Sequence, residues 1–106
     1  MSTGVPEGFS VAARQDGQTV TLVIAGELDL HSAKILDEYL AEVLDAPVVE
    51  VDAGAVSFVD SAGLRSLLVA RQAAEERGAV CRLVAVSDQL GRVLDIAGVT
   101  DLLTDD

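Results

Sequence analysis

At 106 residues with one cysteine, Cys81, the chain is long enough to bury a core of its own and has no intrachain disulfide to rely on. Eighteen acidic residues against seven basic ones give a formal charge of −11, which repels nucleic-acid phosphates and anionic membrane surfaces. Half of the residues are hydrophobic but only Phe9, Tyr39 and Phe58 are aromatic, so the core falls to Val, Leu, Ile and Ala, and few rings are available to stack on bases.

The acidity keeps the surface solvated and also suits a protein partner with a basic face. Met1 to Gly8 lacks the basic start and apolar stretch of a secretory signal, and no apolar run approaches the ~20 residues that span a bilayer. A cytoplasmic protein is expected, built as one domain over residues 1–106 with a core of about 9–103. Cys81 sits in an apolar run beside a single basic neighbour, Arg82, which fits a packed side chain better than a reactive thiol.

Phe9 to Arg14 reads as a first strand, and Gln15-Asp16-Gly17-Gln18 as a hairpin turn on its Asp-Gly pair. Thr19 to Ala25 alternates, with Val20, Leu22 and Ile24 on one face. Gly26-Glu27-Leu28-Asp29 interrupts the alternation. A helix follows to about Asp45, with Ala33, Leu36, Leu40, Val43 and Leu44 at helical spacing, Asp29 or Ser32 as its cap and Pro47 beyond its end. Val48 to Asp52 is a short strand and Ala53 to Val59 a connection.

Asp60 or Ser61 caps a second helix that carries Leu64, Leu67, Leu68 and Ala74 inward and stops at Gly78, a natural C′ residue. Val80 to Val86 is a fourth strand. Ser87 caps a third helix from Asp88 to about Ala97, closed by Gly98, and Val99 to Leu103 is a short apolar tail of undetermined type. The order β-β-α-β-α-β-α predicts a mixed sheet: one antiparallel hairpin, then parallel neighbours joined by right-handed crossovers. Periodicity leaves open whether the helices cover one face or two.

Asp60-Ser61-Ala62-Gly63-Leu64 lies between a strand and a helix. By itself it reads as a helix start, with an acceptor side chain at the cap and a glycine that permits close packing. Nucleophilic catalysis by Ser61 needs a base in reach, and His31 is the one histidine. Val59 stands where the Gly-x-Ser-x-Gly elbow needs a glycine. Glu27 and Asp29 are paired carboxylates with no further His, Asp or Glu cluster to complete a metal or acid–base site, and no glycine-rich phosphate loop is present. A phospho-aspartate receiver is also excluded. Arg14-Gln15 and Val86-Ser87 do not supply its acidic pair and its lysine.

Together, Gly26-Glu27-Leu28-Asp29 and Asp60-Ser61-Ala62-Gly63-Leu64, in this order and spacing, resemble the STAS domain. The chain from about Phe9 to Leu103 is similar to stand-alone anti-sigma factor antagonists of that family. The resemblance implies an α/β fold whose mixed sheet carries its helices mainly on one face, and a bacterial transcription regulator of the stress-response kind rather than an enzyme. It implies partner switching. The unphosphorylated protein binds an anti-sigma factor of the GHKL serine kinase type and frees a sigma factor. The kinase then phosphorylates the serine at position 61, and a serine phosphatase reverses the mark. It also implies a partner-binding surface of Asp60, Ser61, Ala62, Gly63 and Leu64, with Glu27 and Asp29 as an acidic rim beside them. Ala62 stands where many relatives have a second serine, which leaves Ser61 the phosphoacceptor. No cofactor or metal is implied, and a monomer is expected for the free protein. The alternative within the family is a docking or scaffold subunit that is not reversibly phosphorylated.

Overall fold

A computed structural model describes residues 8–104. Strand β1 (Phe9–Asp16) turns back into β2 (Thr19–Leu28) with Asp16 opposite Thr19; Gly17, at φ +63°, opens the two-residue turn. Helix α1 (Leu30–Val43) leads to β3 (Val48–Val59), which pairs parallel to β2. Helix α2 (Ser61–Glu76) leads to β4 (Val80–Val86), parallel to β3. The sheet order is β1-β2-β3-β4, identical to the chain order. Helices α3 (Asp88–Ala97) and α4 (Thr100–Thr104) complete the described chain.

Alternation along the strands decides which face is covered. Val20, Leu22 and Ile24 of β2, Val49 and Val51 of β3 and Leu83 of β4 are buried, and the register places Leu22 beside Val51 and Val51 beside Leu83. Leu36 and Leu40 of α1, Leu67 and Ala70 of α2, Leu90 and Leu94 of α3 and Leu103 of α4 join them in one core. All four helices therefore share one face. The thickness of 19 Å against a breadth of 34 × 33 Å fits one sheet under one layer of helices. The opposite face carries Arg14, Thr21, Glu50 and Arg82 among others, and Arg82 bridges to Glu50 at 2.8 Å across register partners. Polar side chains suit a sheet face left to water.

Two segments depart from the expectation drawn from periodicity. Ala53 to Val59 is strand, not connection, and Gly26 to Leu28 extends β2 instead of breaking it: Gly26 pairs with Val56, Glu27 with Phe58 and Leu28 with Val59. Irregularities between Val23 and Ala25 and between Gly26 and Glu27 shift the register. Burial along β3 then falls on Ala53, Val56 and Val59, every third residue, so no period of two survives to be read. In α2 the deepest positions are Gly63, Ser66, Leu67, Ala70 and Ala74, while Leu64 and Leu68 flank the core. α1 stops at Val43, two residues short of Asp45, and the apolar tail is the helix α4, seating Leu103.

The remaining punctuation works as its chemistry suggests. Gly78 and Gly98 take positive φ just past α2 and α3, and Ser87 accepts the Leu90 N–H at 3.1 Å. Cys81 is largely buried, and loss of water around it pushes the thiol up to about 11 against its ordinary 9.0, so the thiolate scarcely forms at neutral pH.

Candidate functional site

Both sequence motifs lie at the same end of the sheet, where β2 and β3 deliver the chain into α1 and α2. At the first, Asp29 is the N-cap of α1 and Ser32 completes a reciprocal capping box, so the sequence offered two candidates and the structure uses both. The Asp29 carboxylate accepts the His31 and Ser32 backbone N–H groups at 3.0 Å, and the Ser32 hydroxyl accepts the Asp29 N–H at 2.8 Å. That hydroxyl lies 2.6 Å from the Glu27 carbonyl and 3.0 Å from the Asp29 carboxylate. The backbone and hydroxyl hydrogen bonds from Ser32, with a smaller share from His31, hold the Asp29 carboxyl below its ordinary range. Asp29 is therefore turned into its own helix. Glu27 is exposed, and its carboxylate makes no hydrogen bond among the described residues.

At the second motif Asp60 alone is the cap. Its carboxylate accepts the Gly63 N–H at 3.0 Å, and its own N–H donates to the Leu28 carbonyl at 3.2 Å, tying the start of α2 to the end of β2. Gly63 is where the two motifs touch. A Cβ there would stand 2.6 Å from both the Leu28 carbonyl oxygen and the Leu28 Cγ, so only glycine allows α2 to lie this close. Ser61 is thereby released from capping. It occupies the first helical position, exposed, and its hydroxyl makes no hydrogen bond among the described residues. The dipole and open N–H groups of a helix N-terminus favour negative charge at such a position.

Some of the neighbours of Ser61 were not evident from the sequence. The strands run parallel, so α1 and α2 also run parallel and start at the same level. Between them lies an open groove of about 820 Å3, lined by small side chains such as Ala33, Ala62 and Ala70, with Ser61 and Leu30 at its mouth. Leu30 is 63 % exposed and Phe58, at the end of β3, 49 %. Two large apolar side chains therefore stand exposed where β3 ends and α1 begins. A leucine directly after a capping aspartate, and a phenylalanine two residues before one, were the signals available in sequence. Lys34 and Arg65 line the same groove. Ala62 and Leu64 are partly buried, so within the second motif Ser61 is the most accessible side chain.

No group of three or more His, Cys, Asp or Glu among the described residues is placed to hold a metal ion, and none of their helices is long and apolar enough to cross a membrane. What the site offers is an exposed hydroxyl at a helix start, on a groove that apolar and charged side chains also line.

Comparisons with known proteins bear on the fold and the family. The STAS domain family model matches residues 10–105. The anti-sigma-B factor antagonist of Bacillus subtilis (strain 168) is 30 % identical over 101 residues, covering 90 % of this chain and 88 % of that protein. An anti-sigma factor antagonist from Mycobacterium paratuberculosis superposes with a TM-score of 0.77 at 21 % identity, covering 97 % of this chain and 88 % of that one. The Bacillus cell fate determinant SpoIIAA, solved in its phosphorylated form, gives a TM-score of 0.73 at 19 % identity over 92 % of this chain and 90 % of that one. With a mixed four-stranded sheet under four helices, and the family pattern covering nearly its whole length, the chain belongs to the STAS domain family.

Proposed function

We propose that the protein is an anti-sigma factor antagonist switched by phosphorylation of Ser61. Unphosphorylated, it docks through Ser61, Asp60, Ala62, Gly63, Leu64 and the neighbouring Glu27 and Asp29 onto an anti-sigma factor of the GHKL serine kinase type, which then releases its sigma factor. The observation that carries this reading is the division between Asp60 and Ser61: the acid caps the helix, and the hydroxyl is left exposed and unbonded. The similarity to anti-sigma-B factor antagonists supports the partner, and the phosphorylated form of a protein with this fold supports the chemistry.

In the reaction, Ser61 Oγ takes the γ-phosphoryl group of ATP held by the partner. ADP leaves, and the hydroxyl proton passes to a base of the kinase. A serine phosphatase reverses this with water, releasing inorganic phosphate. The mark adds about −1.5 to −2 charges and three strong acceptors to a surface that must be desolvated on docking. A loss of about 3 kcal/mol there weakens the complex ~100-fold, without any global rearrangement. The protein acts in this scheme as a binding module and the substrate of its partner, not as a catalyst.

The test is mass spectrometry after incubation with ATP and each candidate anti-sigma kinase. One phosphoryl group on Ser61, absent from Ser61→Ala, is the expected result, with Ser61→Ala still forming the complex. Stable complex formation without modification would instead identify a docking subunit and overturn the switch.

A further inference from the structure

The charge pattern around the α1–α2 groove goes beyond the acceptor hydroxyl. Three of the seven basic residues are held in ion pairs, Arg71 with Glu75, Arg77 with Asp45 and Arg82 with Glu50. Lys34 and Arg65 are not: in a chain with eighteen acidic residues, neither has a carboxylate within ion-pair distance among the described residues. Both line the groove that Ser61 opens into. Their positions match. Lys34 lies four residues beyond Leu30, the first residue of α1, and Arg65 four beyond Ser61, the first of α2. Each is about 6 Å along its helix from the mouth, and the i, i+4 spacing puts Arg65 on the same helical face as Ser61.

We propose that Lys34 and Arg65 receive the phosphoryl group of phosphorylated Ser61, drawing it into the mouth of the α1–α2 groove and holding it in cis. The proposal rests on Ser61 being the phosphoacceptor and adds what the protein does with the mark. A phosphoserine of about −1.5 to −2 charges against two cations leaves the mouth near neutral. The guanidinium offers paired donors to the phosphoryl oxygens and the ammonium a point charge. Opposing this are the carboxylates at the same end, Glu27, Asp29 and Asp60, and Asp37 one turn further along the groove. Asp29 and Asp60 are engaged with helix N–H groups, which blunts their repulsion. Phosphorylation would then do two things at once. It occupies the space at the groove mouth, and it takes both cations away from whatever acidic groups of a partner they meet.

The experiment is a 31P NMR pH titration of the full chain carrying phosphoserine at position 61, installed during translation so that no partner kinase is needed. Failure to find a kinase therefore leaves this test intact. The second phosphate ionisation, near 6 in an unstructured phosphoserine, is expected to lie lower in the wild-type chain. Lys34→Gln and Arg65→Gln should each raise it by about 0.5, the size expected for one charge a few ångströms away in a solvated groove. Arg65→Lys should restore most of the effect. Arg71→Gln, which removes a cation engaged elsewhere on α2, should leave it unchanged. The dipole of α2 acts equally in every variant, so an ionisation that Lys34→Gln and Arg65→Gln fail to move would overturn the proposal. Both side chains are exposed, so the variants keep the fold.

Discussion

Replacing Gly63 with alanine tests the contact that joins the two motifs. The new Cβ would fall 2.6 Å from the Leu28 carbonyl oxygen and from Leu28 Cγ, about 0.4 Å inside the 3.0 Å that Cβ contacts rarely breach. Neither neighbour has room to retreat: Leu28 is fully buried, and its carbonyl accepts the Asp60 N–H. Overpacking of this kind costs about 1–3 kcal/mol. Alanine returns part of that, up to about 1 kcal/mol in a helix interior and less in the first turn where Gly63 lies. The net expectation is a loss of about 1–2 kcal/mol, which for a domain of this size lowers Tm by at least about 4 °C. Gly91→Ala is the matched control. Its Cβ would meet Val86 Cγ1 at 3.7 Å, an ordinary contact, so helix propensity should win and stability rise by up to about 1 kcal/mol. Urea unfolding followed by circular dichroism reads both, with the m-value as a check that the denatured state is unchanged. If Gly63→Ala proves as stable as the wild type, the close approach of α2 to Leu28 does not constrain the fold, and the reasoning is wrong.

Two further outcomes follow from the ionisable groups. Asp29 has its carboxyl depressed by its hydrogen bonds in the folded state, so its stabilising contribution is present above its ordinary value of 3.8 and is lost as pH falls below that value. Asp29→Asn, which still caps, should flatten this part of the acid dependence of Tm; an unchanged acid limb would refute the assignment. With its thiol pushed up to about 11 from 9.0, Cys81 should hold ~100-fold less thiolate than an ordinary cysteine at neutral pH. Its reaction with a disulfide reagent should be slow in the native protein and fast in urea, and equal rates in the two would contradict its burial.

How much of this was legible beforehand varies along the chain for identifiable reasons. Thr19 to Ala25 was readable because its burial alternates residue by residue, Val80 to Val86 because it is an unbroken apolar run apart from Arg82, and Ser87, Gly78 and Gly98 because caps are local chemistry. Ala53 to Val59 was not, since the register shifts move burial to every third residue and erase the alternation a strand is read by. At the site, the motif named Ser61 and Asp60 but left open which of them caps. That depends on whose oxygen reaches the Gly63 N–H, and three-residue spacing favours Asp60. The exposure of Leu30 and Phe58 was not legible, because composition does not reveal which apolar side chains lie beyond the last layer of packing. The pairing of Lys34 with Arg65 across the groove was out of reach altogether. They are thirty-one positions apart in sequence, and only the side-by-side packing of two parallel helices brings them to one level.

The identity of strand order and chain order bears on how the protein is made. Every strand after the first is laid against the one synthesised just before it, and none has to be threaded between two already in place. The hairpin of β1 and β2 needs only local contacts, and each later step closes a loop of a single helix, so the entropy of loop closure stays small throughout. An emerging chain can therefore grow its sheet in one direction from the N-terminus, with a single advancing edge. Closure waits for the end of the chain, when Leu90, Leu94 and Leu103 of the last two helices seal the core.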